Sequence, residues 1–382
     1  MSNTILTHYA KKLELNQKAD RFLAGIIKES GFASEKEIWR GLILGDKKKA
    51  GSVIYAGRYK NKPAVLKIQH LKPVIDEPEI IRKFYQHSKS RKVFAPKIYF
   101  DRPWNRSRGY GYFISEIVKG LKLVQICPSA STLERSDWRA GNLNQGIGRR
   151  QIRGSACPPM GDLSQRDKTE PTQMREFCKF YEDYKANIKM KPGWWPKRAE
   201  EKDTVIFNLK RSESWLKIVK AARLLKPEFY QPKVDIYKKI IKKYAANQPM
   251  EFTHGHLSAH DIIKTKQGKY YLMSNFLWSY RPKWYDLAFN LWVNINGLPE
   301  MSYNEVDRYI ERWLENYNEI KTVTKDKNFE RYFWLNLLER ALGSILVDFG
   351  SVRYPVEKRA MARVNFKRWE YIFGEIANKF KM

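Results

Sequence analysis

Residues 252–289 concentrate side chains that could carry out phosphoryl transfer. They include His256, Asp261 and Ser274, in that order along the chain. An imidazole can accept a proton near neutral pH, and a carboxylate is an oxygen ligand that Mg²⁺ prefers. Phosphoryl transfer needs such a proton acceptor, Mg²⁺ ions that bridge the phosphates, and a lysine on the phosphates. These residue types make 252–289 a candidate segment for proton transfer and Mg²⁺ binding.

Neutral groups in the same segment weaken its candidate metal site. Ser274 offers a lone hydroxyl, which cannot replace the charge with which a carboxylate holds Mg²⁺. Asn275 would add a neutral oxygen if the register of its strand shifts by one residue. A zinc site at His254, His256 and His260 is set aside because no second carboxylate or thiolate pair accompanies them in the sequence.

The motifs resemble those of the aminoglycoside phosphotransferase and choline kinase family, in which His-Gly-Asp, a loop to an Asn and a strand ending in Asp form the site. Aligned without gaps, the proton-accepting Asp of the family falls on His256, its metal-binding Asn on Asp261 and its metal-binding Asp on Ser274. The resemblance makes His254 and Asp286 structural residues of the loop. It implies a kinase-like protein, a pseudokinase, whose catalytic positions are degenerate.

The resemblance extends upstream to a lysine-bearing strand. Ala64-Val-Leu-Lys67 is similar to the Val-Ala-Ile-Lys strand of kinases. It implies that Lys67 reaches the nucleotide phosphates and pairs with a glutamate on the following helix. We predict Glu79 as that partner, with Glu77 second because Pro78 favours a helix that begins just after it.

Two further segments would bind the nucleotide. Gly51 and Val53 match the end of a glycine-rich loop, whose earlier glycine positions hold other residues. Residues 111–120 resemble the strand and hinge between two lobes, where backbone groups from Glu116 to Val118 would meet an adenine. The implied cofactors are ATP and Mg²⁺, with weak or absent binding expected from the degenerate metal positions.

The chain is strongly basic. It has 72 Lys and Arg against 41 Asp and Glu, a formal net charge of +31. Such a charge predicts attraction to anionic partners, including RNA or a phosphate-rich ligand. An A/T-rich genome, whose proteins are generally rich in lysine, would explain the same charge without a nucleic-acid partner, because the lysines are spread along amphipathic helices. A polycationic ligand is disfavoured, and the substrate class is otherwise left open, together with an unknown small-molecule or protein partner.

The composition predicts a packed intracellular protein. The hydrophobic fraction is 43% and the aromatic fraction 14%, which is typical of a globular chain. The three cysteines, Cys127, Cys157 and Cys178, have no metal-ligand spacing. No run approaches the ~18 apolar residues needed to span a bilayer. We predict a cytoplasmic location.

The predicted fold class is α+β, a protein-kinase-like two-lobe fold with a small antiparallel β lobe and a larger helical lobe. Four regions follow from the patterns: a helical extension over 1–44, the β lobe over 45–120, an atypical insertion over 121–173, and a helical lobe over 174–382. In the last lobe, apolar spacing predicts helices near 286–296, 303–321, 329–346 and 355–380.

The insertion differs from the rest of the chain. Residues 123–167 contain no lysine, six arginines and no sustained apolar period. The stretch is interpreted equally well as a flexible insertion or as a reading-frame error in the sequence, and we predict that it contributes little to either core.

Three functions are compatible with these features. The first is a degenerate kinase-like protein that binds nucleotide weakly or not at all and acts by interaction. The second is an active ATP-dependent phosphotransferase in which Asp261 holds Mg²⁺, His256 is the base and Lys67 binds the phosphates. The third is a basic protein that binds RNA or another polyanion on a kinase-like scaffold.

Overall fold

A computed structural model describes residues 20–42, 50–69, 76–123, 163–190, 192–193, 199–354 and 356–380. Most of the lysine-free stretch, residues 124–162, lies outside the described residues. The prediction that this insertion contributes little to either core therefore stays a prediction. The helix that follows begins at residue 163, inside the region assigned to the insertion. The positions of the domain boundaries otherwise stay predictions.

The N-terminal part of the chain forms an antiparallel sheet with two helices. The elements in chain order are α1 (20–30), β1 (Ala33–Leu42), β2 (Ala50–Tyr59), β3 (Lys62–Gln69), α2 (Glu77–His87), β4 (Val93–Phe94), β5 (Ile98–Asn105), β6 (Tyr110–Glu116) and β7 (Leu121–Lys122). Five of the strands form one sheet in the order β1-β2-β3-β6-β5, with every pair antiparallel.

Strand β1 departs from the predicted helical extension over 1–44. Only 20–30 are helical in the described part of that region, and 33–42 pair with β2. The strand is an exposed sheet edge with three register irregularities and several charged residues. Edge strands of this kind lack a clean alternation of apolar and polar residues, so their pairing partner determines their conformation.

The alternation of β3 separates two faces of the sheet. Leu66 and Ile68 are buried in a cluster that includes Leu23 and Ile26 of α1. Lys67 lies between them in sequence, so its side chain points to the opposite face, where α2 packs. The predicted turn between β2 and β3 is present at residues 60 and 61, both of which have positive φ.

The C-terminal part is mainly helical and contains the larger core. Its elements are α3 (Leu163–Asn187), α4 (Thr204–Ala222), α5 (Pro227–Tyr244), β8 (Met250–Thr253), β9 (Ile262–Lys264), β10 (Tyr270–Leu272), β11 (Ser279–Pro282), α6 (Tyr285–Ile295), α7 (Tyr303–Asn318), α8 (Lys321–Thr324), α9 (Phe329–Gly343) and α10 (Val356–Lys379). Helices α6, α7, α9 and α10 confirm the four helices predicted from apolar spacing. The α+β class is likewise confirmed.

Short strands connect the two parts and position the candidate site. Strand β10 pairs in parallel with β4 and antiparallel with β9, while β8 pairs antiparallel with β11. The segment between β8 and β11 is thereby held against both the sheet region and the helical core. No helix among the described residues has the length and apolar composition needed to cross a bilayer.

Candidate functional site

The loop after β8 depends on a tight turn at Gly255. This residue has φ of +71°, and a Cβ built on it would lie 2.6 Å from the carbonyl oxygen of Leu277. Side-chain-bearing residues rarely adopt this conformation, and here they would also clash with backbone. The loop can therefore pass close to residues 274–279 only with a glycine at this position.

His254 ties the loop to the strand that leads to Ser274. Its side chain is fully buried, and its Nε2 lies 2.7 Å from the carbonyl oxygen of Met273. Burial lowers the pKa of His254 to about 4, so the ring is neutral near pH 7. A neutral ring whose partner is a carbonyl must carry its proton on Nε2 and donate it there.

Asp286 supports the start of the same loop from α6. It is buried and accepts a hydrogen bond from the hydroxyl of Thr253, whose oxygen also lies 2.9 Å from the hydroxyl of Tyr184. Burial raises the pKa of Asp286, an effect opposed by the Thr253 hydroxyl. These contacts place Asp286 beneath the loop, as its predicted structural role requires.

Asp261 is the centre of a small hydrogen-bonded cluster. Its Oδ2 accepts a hydrogen bond from Ser258 at 2.8 Å and lies 3.4 Å from Nδ1 of His256, while its Oδ1 accepts from Ser274 at 2.8 Å. Burial alone raises the pKa of Asp261, but the hydrogen bond and charge of His256 outweigh it and lower the pKa to about 2. The structure thus brings His256, Asp261 and Ser274 together, as their spacing predicted.

Asn275 lies beside this cluster but has other partners. Its amide Nδ2 donates to the carbonyl of Leu272 at 2.7 Å, and its Oδ1 accepts from the indole of Trp278 at 3.1 Å. The residue is 1% exposed. This arrangement corrects the prediction that Asn275 supplies a neutral metal ligand, because both the nitrogen and the oxygen of its amide already form hydrogen bonds that hold the turn after Ser274.

Lys67 pairs with Glu77 rather than with Glu79, which corrects the first choice of partner. The Nζ of Lys67 donates to Oε2 of Glu77 at 2.5 Å, and both side chains are buried. Helix α2 begins at Glu77, one residue before Pro78. A residue two positions later points about 200° away around a helix, so Glu79 faces elsewhere.

Glu77 and Phe276 join the lysine to the loop, a contact that sequence reasoning missed. Oε1 of Glu77 accepts a hydrogen bond from the backbone N–H of Asn275 at 3.0 Å. The ring of Phe276 lies over the Lys67 ammonium, with its centroid 4.0 Å away. The sequence signal for this contact was the position of Phe276, an apolar residue immediately after Ser274 and Asn275 at the end of a strand.

The predicted nucleotide contacts are not all on one face. Val53 is 1% exposed and packs in the cluster beneath α1, on the face opposite Lys67. Its neighbour Ile54 is the residue of β2 that pairs with Lys67 and shares its face. Val53 is therefore not placed beside a nucleotide. Gly51 lies in β2, and the residues 43–49 before it are outside the described chain.

The predicted hinge follows the last strand of the sheet. Glu116 ends β6, its backbone N–H donates to the carbonyl of Lys97, and its side chain accepts from the N–H of the same residue. Val118 lies in the irregular segment just after β6 and is half-buried. The backbone N–H of Glu116 is thus bonded to Lys97, the residue before β5, which leaves the segment containing Val118 for any contact with an adenine.

The donor set fits Mg²⁺ poorly. Asp261 is the single carboxylate in the cluster with His256, Ser258 and Ser274, and both its oxygens accept hydrogen bonds there. In the ranges that the structure covers, no group of three His, Cys, Asp or Glu side chains could hold a metal ion. Mg²⁺ prefers carboxylate oxygens together with substrate phosphates, and this cluster supplies one such group.

Comparison with solved structures defines the fold class. The aminoglycoside phosphotransferase APH(4)-Ia superposes with a TM-score of 0.52 at 11% identity, covering 94% of this chain and 98% of that one. A thermostable mutant of that enzyme in complex with ADP and hygromycin B also has a TM-score of 0.52, at 10% identity, covering 92% and 97%. The chain therefore has the aminoglycoside phosphotransferase and choline kinase form of the protein-kinase-like fold.

A eukaryotic kinase gives the same result. The ethanolamine kinase of Plasmodium vivax superposes with a TM-score of 0.51 at 10% identity, covering 89% of this chain and 83% of that one. Identities this low establish the fold alone. No family model matches the sequence, and no curated protein matches it either.

Proposed function

We propose that this chain is a small-molecule-kinase-like protein whose phosphoryl-transfer site is catalytically degenerate. It binds ATP weakly or not at all, and it acts by binding a ligand or partner rather than by turnover. The observation that carries the proposal is the Asp261 cluster, in which one carboxylate is engaged by two hydroxyls and an imidazole.

Metal binding is the step that this cluster impairs. In kinases, Mg²⁺ bridges the phosphates and neutralises the charge that develops on them. Such stabilisation is worth several kcal/mol, and a neutral hydroxyl at Ser274 supplies little of it. Asp261 would have to exchange its hydrogen bonds for the metal, which adds a further cost.

The phosphate side of the site supports the fold of a kinase but restricts access. Lys67 and Glu77 keep the ion pair that positions a phosphate-binding lysine. The Phe276 ring covers the same ammonium. A phosphate group would have to displace this ring, or bind beside it, to reach Lys67.

The decisive experiment measures ATP turnover and ATP-induced thermal stabilisation, with and without Mg²⁺ or Mn²⁺. We expect no turnover and little metal-dependent stabilisation in the unmodified protein. The combined variant His256→Asp, Asp261→Asn and Ser274→Asp restores the family residues and should gain metal-dependent ATP stabilisation. Ser302→Asp, at the exposed N-cap of α7, adds a carboxylate elsewhere and serves as the control.

Turnover by the unmodified protein at ordinary kinase rates of ~1–100 per second would overturn the proposal. This result does not depend on whether the combined variant folds. Saturable, Mg²⁺-dependent ATP stabilisation of the unmodified protein, at the level of the combined variant, would also contradict it.

One contact favours a second candidate, an active phosphotransferase with His256 as the base. Nδ1 of His256 lies 3.4 Å from Oδ2 of Asp261, and the His256 side chain is 35% exposed. A carboxylate that orients a reachable imidazole is the arrangement used for general-base catalysis. If the protein transfers phosphate, His256→Gln should lower the rate by about 10²–10⁴-fold.

A further inference from the structure

Three arginines gather next to the candidate loop. They are Arg211 of α4, Arg281 of β11 and Arg340 of α9. A Cβ built on Gly255 would lie 3.2 Å from Nε of Arg281, which places this guanidinium against the residue before His256. All three arginines also contact aromatic rings at the start of α6, the helix that follows the loop.

The aromatic contacts connect the arginines to His256. The His256 ring lies 4.4 Å from the ring of Phe289, and the guanidinium of Arg340 lies 5.7 Å from the same ring. Arg211 and Arg281 both lie over the ring of Tyr285, at 5.8 and 5.3 Å. Stacking of this kind holds a guanidinium in a defined orientation before any ligand arrives.

The cluster has more positive than negative charge. Arg211 pairs with Glu339 at 2.5 Å, and Arg340 pairs with Asp348 at 3.2 Å. Across the described residues, no carboxylate lies within ion-pair distance of Arg281. Burial lowers the pKa of Arg281 and the charge of Arg211 lowers it further, whereas the negative charge of Glu339 opposes these effects.

Two buried N–H donors in the cluster have no hydrogen-bond partner among the described residues. Arg340 is 7% exposed, and its Nε is buried without a hydrogen bond, as is Nε of Arg281. An unpaired buried charge and unused buried donors are unfavourable unless an anion satisfies them. The cluster is reachable from solvent at Arg211, whose side chain is 22% exposed.

We propose that Arg211, Arg281 and Arg340 bind the phosphate or carboxylate group of a small anionic ligand beside His256. Guanidinium groups present paired N–H donors that match both oxyanions. The placement beside the acceptor position rests on the proposed kinase-like function, whereas anion binding itself does not. A cationic ligand is repelled by the same charges.

The test titrates the full chain with inorganic phosphate, without nucleotide or metal, at ionic strength kept constant with chloride. The variant Arg281→Met removes the one arginine whose loss leaves no carboxylate unpaired. The matched control Arg308→Met removes an exposed arginine of α7. We expect the Kd for phosphate to rise at least about tenfold in Arg281→Met and to change less than about twofold in the control.

The melting temperature without phosphate provides a second measurement. Because Arg281 has like-charged neighbours, its replacement should leave this temperature unchanged or raise it. A lower melting temperature with unchanged phosphate affinity would mean that Arg281 is structural and would overturn the proposal. So would absence of saturable phosphate binding in the unmodified protein.

Two further arms identify the kind of anion. Acetate replaces phosphate in the same titration, and the anion with the lower Kd indicates whether the cluster prefers a carboxylate or a phosphate group. A single-stranded oligonucleotide tests general attraction to polyanions. If Arg281→Met and Arg308→Met lose affinity equally for phosphate, acetate and the oligonucleotide, a specific site is contradicted. Since no ATP is present, these results are independent of whether the chain transfers phosphate.

Discussion

The two halves of the candidate site differ in how much charge they keep. On the phosphate side, Lys67 and Glu77 form a buried ion pair, and Glu77 also accepts the backbone N–H of Asn275. On the metal side, Asp261 is the single carboxylate of its cluster, and neutral hydroxyls of Ser258 and Ser274 occupy its oxygens. The first half therefore contains a charged pair that positions a lysine, whereas the second contains one carboxylate among neutral groups.

The hydrogen bonds that shape the loop are made within the chain. His254, Asn275 and Asp286 fix the loop through hydrogen bonds to backbone and hydroxyl groups. Such bonds are made in the folded chain alone, so the loop can keep its geometry while its charged ligands change. Architecture and catalytic chemistry are therefore separable in this site.

The largest expected effect comes from breaking the phosphate-side ion pair. Glu77→Gln leaves Lys67 buried without a counter-charge, which should lower the free energy of unfolding by about 3 kcal/mol. Urea unfolding measures this change. Glu79→Gln, two residues along the same helix, is the control and should change stability by less than about 0.5 kcal/mol. Equal effects of the two substitutions would contradict the assignment of Glu77.

His254 should make stability depend on pH below neutrality. An unfolded histidine binds a proton near pH 6.5, whereas His254 binds one only near pH 4. The unfolded state therefore binds more protons in this range, and stability present above pH 6.5 is lost as the pH falls toward 4. The loss is about 3 kcal/mol. Urea unfolding of His254→Gln should show a flatter dependence over this window; an unchanged slope would exclude His254 as the cause.

Asp261 should act at lower pH. Its pKa falls from 3.8 to about 2 in the folded state, so the stability that it contributes is present above pH 3.8 and is lost as the pH falls toward 2. The contribution is about 2 kcal/mol. Comparing the parent with Asp261→Asn by urea unfolding between pH 5 and 3 measures the onset of this loss. A parent and variant with parallel profiles would show that the Asp261 cluster is not formed in solution.

The smallest expected effect concerns access to Lys67. Phe276→Ala removes the ring over the ammonium, an interaction worth about 1 kcal/mol. Affinity for ATP, measured by calorimetry, should then rise about fivefold. Phe276→Leu keeps an apolar cover without the aromatic ring and should give a smaller rise. If neither substitution changes ATP binding, the ring does not compete with phosphate.

Some features follow from short-range patterns and were predictable. Helix α7 begins after Ser302, whose side chain and Glu305 form a capping box, and it follows the apolar spacing seen in the sequence. The turn at residues 60 and 61 and the lysine strand β3 are equally local. The spacing from His256 to Asp261 and Ser274, aligned with the family pattern, also sufficed to predict that these three side chains meet.

The sequence by itself determined the main helices and the composition of the candidate loop, because these depend on periodicity and on residue order. Its resemblance to a known family supplied the fold class. Only the tertiary structure decided which glutamate faces Lys67, on which face Val53 lies, and that the amide of Asn275 is already bonded. Those outcomes depend on the rotation of a helix, the register of a strand and the competition among nearby polar groups. The meeting of Arg211, Arg281 and Arg340 was decided in the same way, since three elements far apart in sequence pack around one loop.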